Sequence, residues 1–316
     1  NSDRVVLDPH TNRPSLNWTL RGPSGLVVNP RALNSSDWAN NFGPFDLPSG
    51  SYQLLVQGTA NSPYVFRLLD LAAAAVFTPG TPVTNTLSPA SATAAYRFTI
   101  GSAGRFFFDA QSSGGLPNAY WRLIDPYDNV VFITSLGSDR GPLSLGSPGT
   151  YTILVEGYPL EPAAGTNVFN VVPVSDGLQA LTLGTTVSGA ITTPGQRQQY
   201  TFTLPASARL YFDALTNISS LRWYLDGPTG NVVNNAGFNG DNLLGLLAPG
   251  SYTLTVFANN NDTTGSYQFR LFDLAAAAAL THGPPVNDTL NPANSTKAYQ
   301  FPLTAAGNYF FDYQSA

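Results

Sequence analysis

The chain repeats itself with a period of about 100 residues, and this limits its architecture more than any other feature. An apolar-Asp pair closes a hydrophobic run at Leu7-Asp8, Phe108-Asp109, Phe212-Asp213 and Phe311-Asp312, with the aspartates 101, 104 and 99 residues apart. Trp18-Thr19-Leu20, Trp121-Arg122-Leu123 and Trp223-Tyr224-Leu225 recur at intervals of 103 and 102. Gly50-Ser51-Tyr52, Gly149-Thr150-Tyr151 and Gly250-Ser251-Tyr252 recur at 99 and 101. Three markers in one order with one period are not a chance alignment. A solenoid turn takes about 20–50 residues, whereas one compact β-sandwich takes about 100. The expectation is a tandem array of beads, each with its own core, separated by short semi-rigid connectors.

Within each repeat the apolar residues alternate with period two, the mark of half-buried strands. Tyr96, Phe98 and Ile100 match Tyr200, Phe202, Leu204 and Tyr299, Phe301, Leu303. Tyr151, Ile153 and Val155 match Tyr52, Leu54, Val56 and Tyr252, Leu254, Val256. The turns Gly22-Pro23-Ser24-Gly25, Asp125-Pro126-Tyr127-Asp128-Asn129 and Asp226-Gly227-Pro228-Thr229-Gly230-Asn231 predict hairpins after the tryptophan strands. The tyrosine of Gly-(Ser/Thr)-Tyr predicts a tyrosine corner. A last strand is expected at Tyr64-Phe66-Leu68 and Tyr267-Phe269-Leu271, and reads as degraded at Phe169, Val171, Pro173. Alanine runs after Asp70-Leu71 and Asp273-Leu274 suit one or two helical turns, too short to stand alone.

The fold class is therefore all-β: tandem antiparallel β-sandwich domains, Ig-like or jelly-roll-like. The expected boundaries are 1–82 for a first repeat lacking its opening strands, 83–184 and 185–286 for two complete repeats, and 287–316 for the opening strands of another. Asn1 reads as an internal or mature start, and the chain as a window on a longer array.

Composition narrows the function. Hydrophobic residues make up 43% of the chain and charged residues 10%, the reverse of a disordered sequence. Lysine occurs once, at Lys297, and glutamate twice, at Glu156 and Glu161, so the polar faces are not those of solvated helices. A net charge of −5 argues against nucleic acid and against an electrostatic membrane anchor. The apolar runs fall far short of the roughly 20 residues of a spanning helix. Absence of cysteine excludes disulfides and thiolate metal sites. Absence of methionine and near-absence of lysine fit an exposed protein that resists oxidation and proteolysis.

The order Gly-x-Pro-Val, Thr-Leu-x-Pro, Tyr-x-Phe, Ala-Gly-x-x-x-Phe-Asp, Trp-x-Leu, Asp-Pro, Asn-Val-Val, Pro-Gly-(Ser/Thr)-Tyr resembles tandem repeats of large bacterial exoproteins. These are similar to the pre-peptidase C-terminal type of β-sandwich, found in adhesin-like arrays and beside secreted peptidases. The resemblance spans nearly the whole chain. It implies an extracellular or cell-surface location in a bacterium and a structural role in a stalk, fibre or filament. The rival it leaves open is adhesion to, or binding of, surface polysaccharide through the loops 34–46, 134–143 and 234–242, which differ between copies.

No residues are expected to be catalytic. His10 and His282 sit at unrelated repeat phases in turn-rich contexts, and no Gly-x-Ser-x-Gly, His-Glu-x-x-His or phosphate loop occurs. No cofactor is expected. The strand-end and turn aspartates Asp109, Asp125, Asp213 and Asp226 are the candidates for calcium, which needs about six oxygens. Against this stands a structural reading, in which the strand-end carboxylates pair with Arg122 or Arg222 or cap backbone N–H groups. Trp18, Trp121 and Trp223 are expected in cores, and Trp38, in a variable loop, is the candidate for ligand contact. The expected partners are neighbouring copies of the chain, through edge strands or domain ends. Neither nucleic acid nor membrane insertion is expected. Six Asn-x-Ser/Thr sites, at Asn17, Asn34, Asn217, Asn261, Asn287 and Asn294, are about as many as chance gives in so Asn-rich and Ser/Thr-rich a chain.

Overall fold

A computed structural model describes residues 2–40, 42–58, 63–160, 163–260 and 262–312; Glu161 and Asn261 lie outside them. It divides into two compact units, 1–174 and 175–316. The described residues form mainly antiparallel sheets with short 3-10 turns.

The second bead shows how a repeat is built. One sheet orders the strands Arg140–Leu145, Gly104–Ser112, Gly165–Val174 and Val83–Leu87. The other orders Val130–Ser135, Tyr120–Ile124, Gly149–Glu156, Thr93–Ile100 and Ala75–Val76. Alternate side chains of both sheets meet between them. Phe106, Phe108, Phe169 and Val171 from one sheet pack with Phe98, Trp121, Leu123, Tyr151, Ile153 and Val155 from the other. This is a β-sandwich held by apolar burial. Trp121 is fully buried, as are Trp18 and Trp223 in the cores of the first and third beads.

The third bead, in the C-terminal unit, repeats the plan with sheets of five and four strands. The first bead has three strands in each sheet: Phe45–Pro48, Ser2–Pro9, Phe66–Asp70, and Gly25–Ala32, Leu16–Gly22, Gln53–Gly58. Among the described residues its Gln53–Gly58 and Phe66–Asp70 strands each pair on one side.

The recurring markers have one steric cause. Gly50, Gly149 and Gly250 lie against the turn prolines Pro23, Pro126 and Pro228, where an added Cβ would stand 2.2, 2.7 and 2.8 Å from the ring. The following tyrosine closes the corner: Tyr52, Tyr151 and Tyr252 donate their hydroxyls to the carbonyls of Pro48, Ser147 and Ala248 at 2.8, 3.0 and 2.8 Å. Hairpin turn, glycine and tyrosine are therefore one packed device, and they recur together.

Three expectations change. The strand that reads as degraded, Gly165–Val174, is ten residues long and pairs on both sides. Phe169 and Val171 keep the buried alternation, and Pro173, next on the same face, is exposed near the strand's end. The alanine runs make single 3-10 turns, Leu71–Ala73 and Leu274–Ala276, capped by Asp70 and Asp273. The chain then pairs in parallel with the next Tyr-x-Phe strand, through Ala75–Val76 and Ala278–Ala279. The run ending at Phe311-Asp312 is exposed and forms no strand. Its equivalent, Gly104–Ser112, pairs with strands that begin at residues 140 and 165, well downstream of its own end.

Candidate functional site

A strand buried on only one face alternates; one buried on both does not. Arg4-Val5-Val6-Leu7-Asp8 does not alternate. Leu7 joins the core of the first bead, whereas Val6 packs with Leu71, Ile124 and Leu154 in a small separate cluster between the first and second beads. The beads of the N-terminal unit are therefore packed together and are not merely strung on a connector. The outer face of this strand carries Val6 and Asp8 into the joint.

Asp8 is fully buried at the centre of this joint. It accepts from Arg67 Nε at 2.6 Å and lies 2.9 Å from His10 Nε2. Both its oxygens accept from the Thr93 backbone N–H, the first residue of the second bead's Tyr-x-Phe strand, at 3.2 Å. Arg67 closes the loop by donating to the Thr93 carbonyl. One carboxylate and one guanidinium thus clamp both polar groups of a single peptide residue in the next bead. The Thr93 hydroxyl turns to Asp37, 3.4 Å away.

The C-terminal unit contains the same clamp. Asp213 accepts from Arg270 Nη2 at 2.6 Å and from the Thr296 N–H at 3.1 Å; Arg270 donates to the Thr296 carbonyl at 2.6 Å, and the Thr296 hydroxyl to Asp241 at 2.7 Å. Burial raises the Asp213 carboxyl above its ordinary value, with Arg270 opposing the rise. In both copies Asp and Arg are direct cross-strand partners, Asp8 with Arg67 and Asp213 with Arg270. In the second bead the partner of Asp109 is Asn170. There Asp109 accepts from Gln111, and burial with the nearby Asp139 raises its carboxyl. The expected partners Arg122 and Arg222 are not used. Arg122 is fully buried and binds Glu156 at 2.5 Å, while its Nη1 donates across the joint to the Gly43 carbonyl at 3.3 Å.

The calcium candidates are distributed differently from the sequence expectation. Asp109 lies in one sheet of its bead and Asp125 in a hairpin turn of the opposite sheet, while Asp213 and Asp226 belong to opposite sheets of another. Asp125 organises its own hairpin turn, accepting from the N–H groups of Tyr127 and Asn129 at 2.8 Å; burial pushes its carboxyl up, but these bonds outweigh it and hold it low. Asp226 accepts from Asn231 at 3.0 Å. Trp38 is half-buried against the second bead. Its ring packs on Tyr120 and Tyr158, at 5.3 and 4.5 Å between centroids, and its Nε1 donates to the Asn118 carbonyl at 2.6 Å. It is a joint residue. His10 contacts Asp8, but the nearby Ser91 hydroxyl donates to the His10 main-chain carbonyl, at 3.3 Å, and not to its ring. This differs from the relay of a serine hydrolase. His282 packs beside Phe301 and Tyr309.

Sequence reasoning missed Arg67, Arg270, Thr93 and Thr296. The signal was present in Phe66-Arg67-Leu68-Leu69-Asp70-Leu71 and Phe269-Arg270-Leu271-Phe272-Asp273-Leu274, which repeat an arginine between two apolar residues. The loop aspartates Asp37, Asp139 and Asp241 recur as well, but a loop of varying length hides their phase.

No family model and no curated protein matches the sequence. Among solved structures it is similar to the pre-peptidase C-terminal domain of a collagenase from Bacillus anthracis, at 20% identity over 31% of this chain and 96% of that one, with a TM-score of 0.25. The CUB1-EGF-CUB2 domains of rat MASP-1 match at 8% identity over 61% of this chain and 96% of theirs, with a TM-score of 0.21. A tail fibre protein from an E. coli phage matches at 11% identity over 83% of this chain and 41% of its own, with a TM-score of 0.20. The fold assignment rests on the strand pairing and cores described above. No helix of the described residues is long and apolar enough to cross a membrane.

Proposed function

We propose that the chain is a structural segment of an extracellular bacterial array, a stalk, fibre or filament, with no catalytic role. The observation that carries this reading is the recurrence of the Asp–Arg–Thr clamp. The most elaborate polar constellation of each unit grips the backbone of the next repeat, as a joint does, and does not face a cleft, as an active site does. Its partners are neighbouring copies of the chain, met through edge strands or domain ends. Antibodies raised against the chain should label intact source cells, and electron microscopy should place the label along surface-attached or shed material. Labelling confined to the cell interior would defeat the location. Strict monomers across the accessible concentration range, by sedimentation velocity, would remove the pairing of copies.

A further inference from the structure

The joint of the first two beads holds more acid than base. Three fully buried carboxylates, Asp8, Asp37 and Glu156, meet two guanidiniums, Arg67 and Arg122, and the His10 imidazole. The elements that bring them together are the Ser2–Pro9 strand and the turn after it, the Leu33–Ser35 turn and the residues that follow, and the strands Phe66–Asp70, Tyr120–Ile124 and Gly149–Glu156. Two carboxylate oxygens, Asp37 Oδ1 and Glu156 Oε2, are buried without a hydrogen-bond partner. A buried carboxylate lacking donors is costly to keep charged, and a proton removes that cost. The clamp in the C-terminal unit lacks this excess. Its loop acid, Asp241, is solvent-exposed and accepts from Tyr211, Ala214 and Thr296, so the buried carboxylate of that clamp, Asp213, is matched by Arg270.

We propose that the joint of the first two beads is a proton lock, held while Asp37 and Glu156 carry protons and opening more often once both ionise. It rests on the reading of the clamps as joints. The electrostatics agree with the geometry. Burial, reinforced by Glu156 and Asp8, pushes the Asp37 carboxyl well above the ordinary carboxylate range. Burial, only partly offset by Arg122, pushes Glu156 up to about 7. Raised folded-state values mean that the closed joint binds protons that the open joint has released, so the joint weakens as pH rises through that window.

The test is amide hydrogen exchange on the full chain, corrected for intrinsic rates, comparing Thr93 with Thr296. Between pH 5 and 8 the opening constant at Thr93 should rise by roughly 50- to 100-fold from Glu156 alone, and that at Thr296 by much less. The double variant Asp37→Asn with Glu156→Gln, which mimics the protonated pair, should flatten the Thr93 profile, and His10→Asn should leave it steep. Equal slopes at Thr93 and Thr296 in the unaltered chain overturn the proton lock without recourse to any variant, and so does a profile flattened by His10→Asn. A Thr93 amide unprotected at every pH would instead defeat the reading of the clamp as a joint.

Discussion

Replacing Asp8 with asparagine keeps the shape of the side chain and removes its charge. The native carboxylate serves three donors, Arg67 Nε, His10 Nε2 and the Thr93 N–H. An amide offers one oxygen and turns an NH2 group toward at least one of them. Losing a hydrogen bond to a charged group costs about 1.5–3 kcal/mol, and stranding a buried N–H about 1–3 kcal/mol. The Arg67 side chain is 46% exposed and can turn to water, so its share is discounted. The net expectation for Asp8→Asn is a loss of about 2–4 kcal/mol in local stability. It should be read as faster hydrogen exchange along Thr93–Ile100, with little change along Arg197–Leu204. Sodium chloride at high concentration should not reproduce the effect, because the Asp8 carboxylate is fully buried and its bond to the Thr93 N–H is poorly screened. A change below about 0.5 kcal/mol, the range of ordinary surface substitutions, would refute the reasoning. The calcium reading of the recurring aspartates predicts instead that a chelator lowers the melting temperature; a clamp completed by arginine predicts no shift.

Further outcomes test other parts of the fold. Tyr151→Phe deletes the hydroxyl bond to the Ser147 carbonyl and should cost about 1 kcal/mol by thermal unfolding. Trp121→Ala empties the centre of the second core and should cost about 3–5 kcal/mol, enough to uncouple that bead's melting from the rest. Gly227→Ala places a Cβ 2.3 Å from the Tyr252 ring and should cost about 1–3 kcal/mol through overpacking. Trp38→Ala should raise hydrogen exchange near Tyr120 and leave binding on a glycan array unchanged, since its ring is engaged by Tyr120 and Tyr158.

The pattern of residues alone determined the strands, the period and the buried tryptophans. Period-two alternation fixes which side chains face inward, and the recurrence of Gly-(Ser/Thr)-Tyr after a proline turn reflects a contact so close that only glycine fits. The glycine and its proline stand 22–27 positions apart, but both lie within one bead and recur together in every copy, so the repeat makes the contact legible. The joints were a matter for the tertiary structure. Asp8 and Thr93 are 85 positions apart and Arg67 and Thr93 26, and nothing in the spacing says that a carboxylate at a strand end will grip the backbone of the following repeat. The same holds for Trp38, which only the packing of one bead on the next could place against Tyr120 and Tyr158. The hydrophobic period specifies each bead from within, because burial is local to a strand face. The burial of acids and arginines between beads depends on which outer faces meet, and that is decided only when the folded surfaces dock.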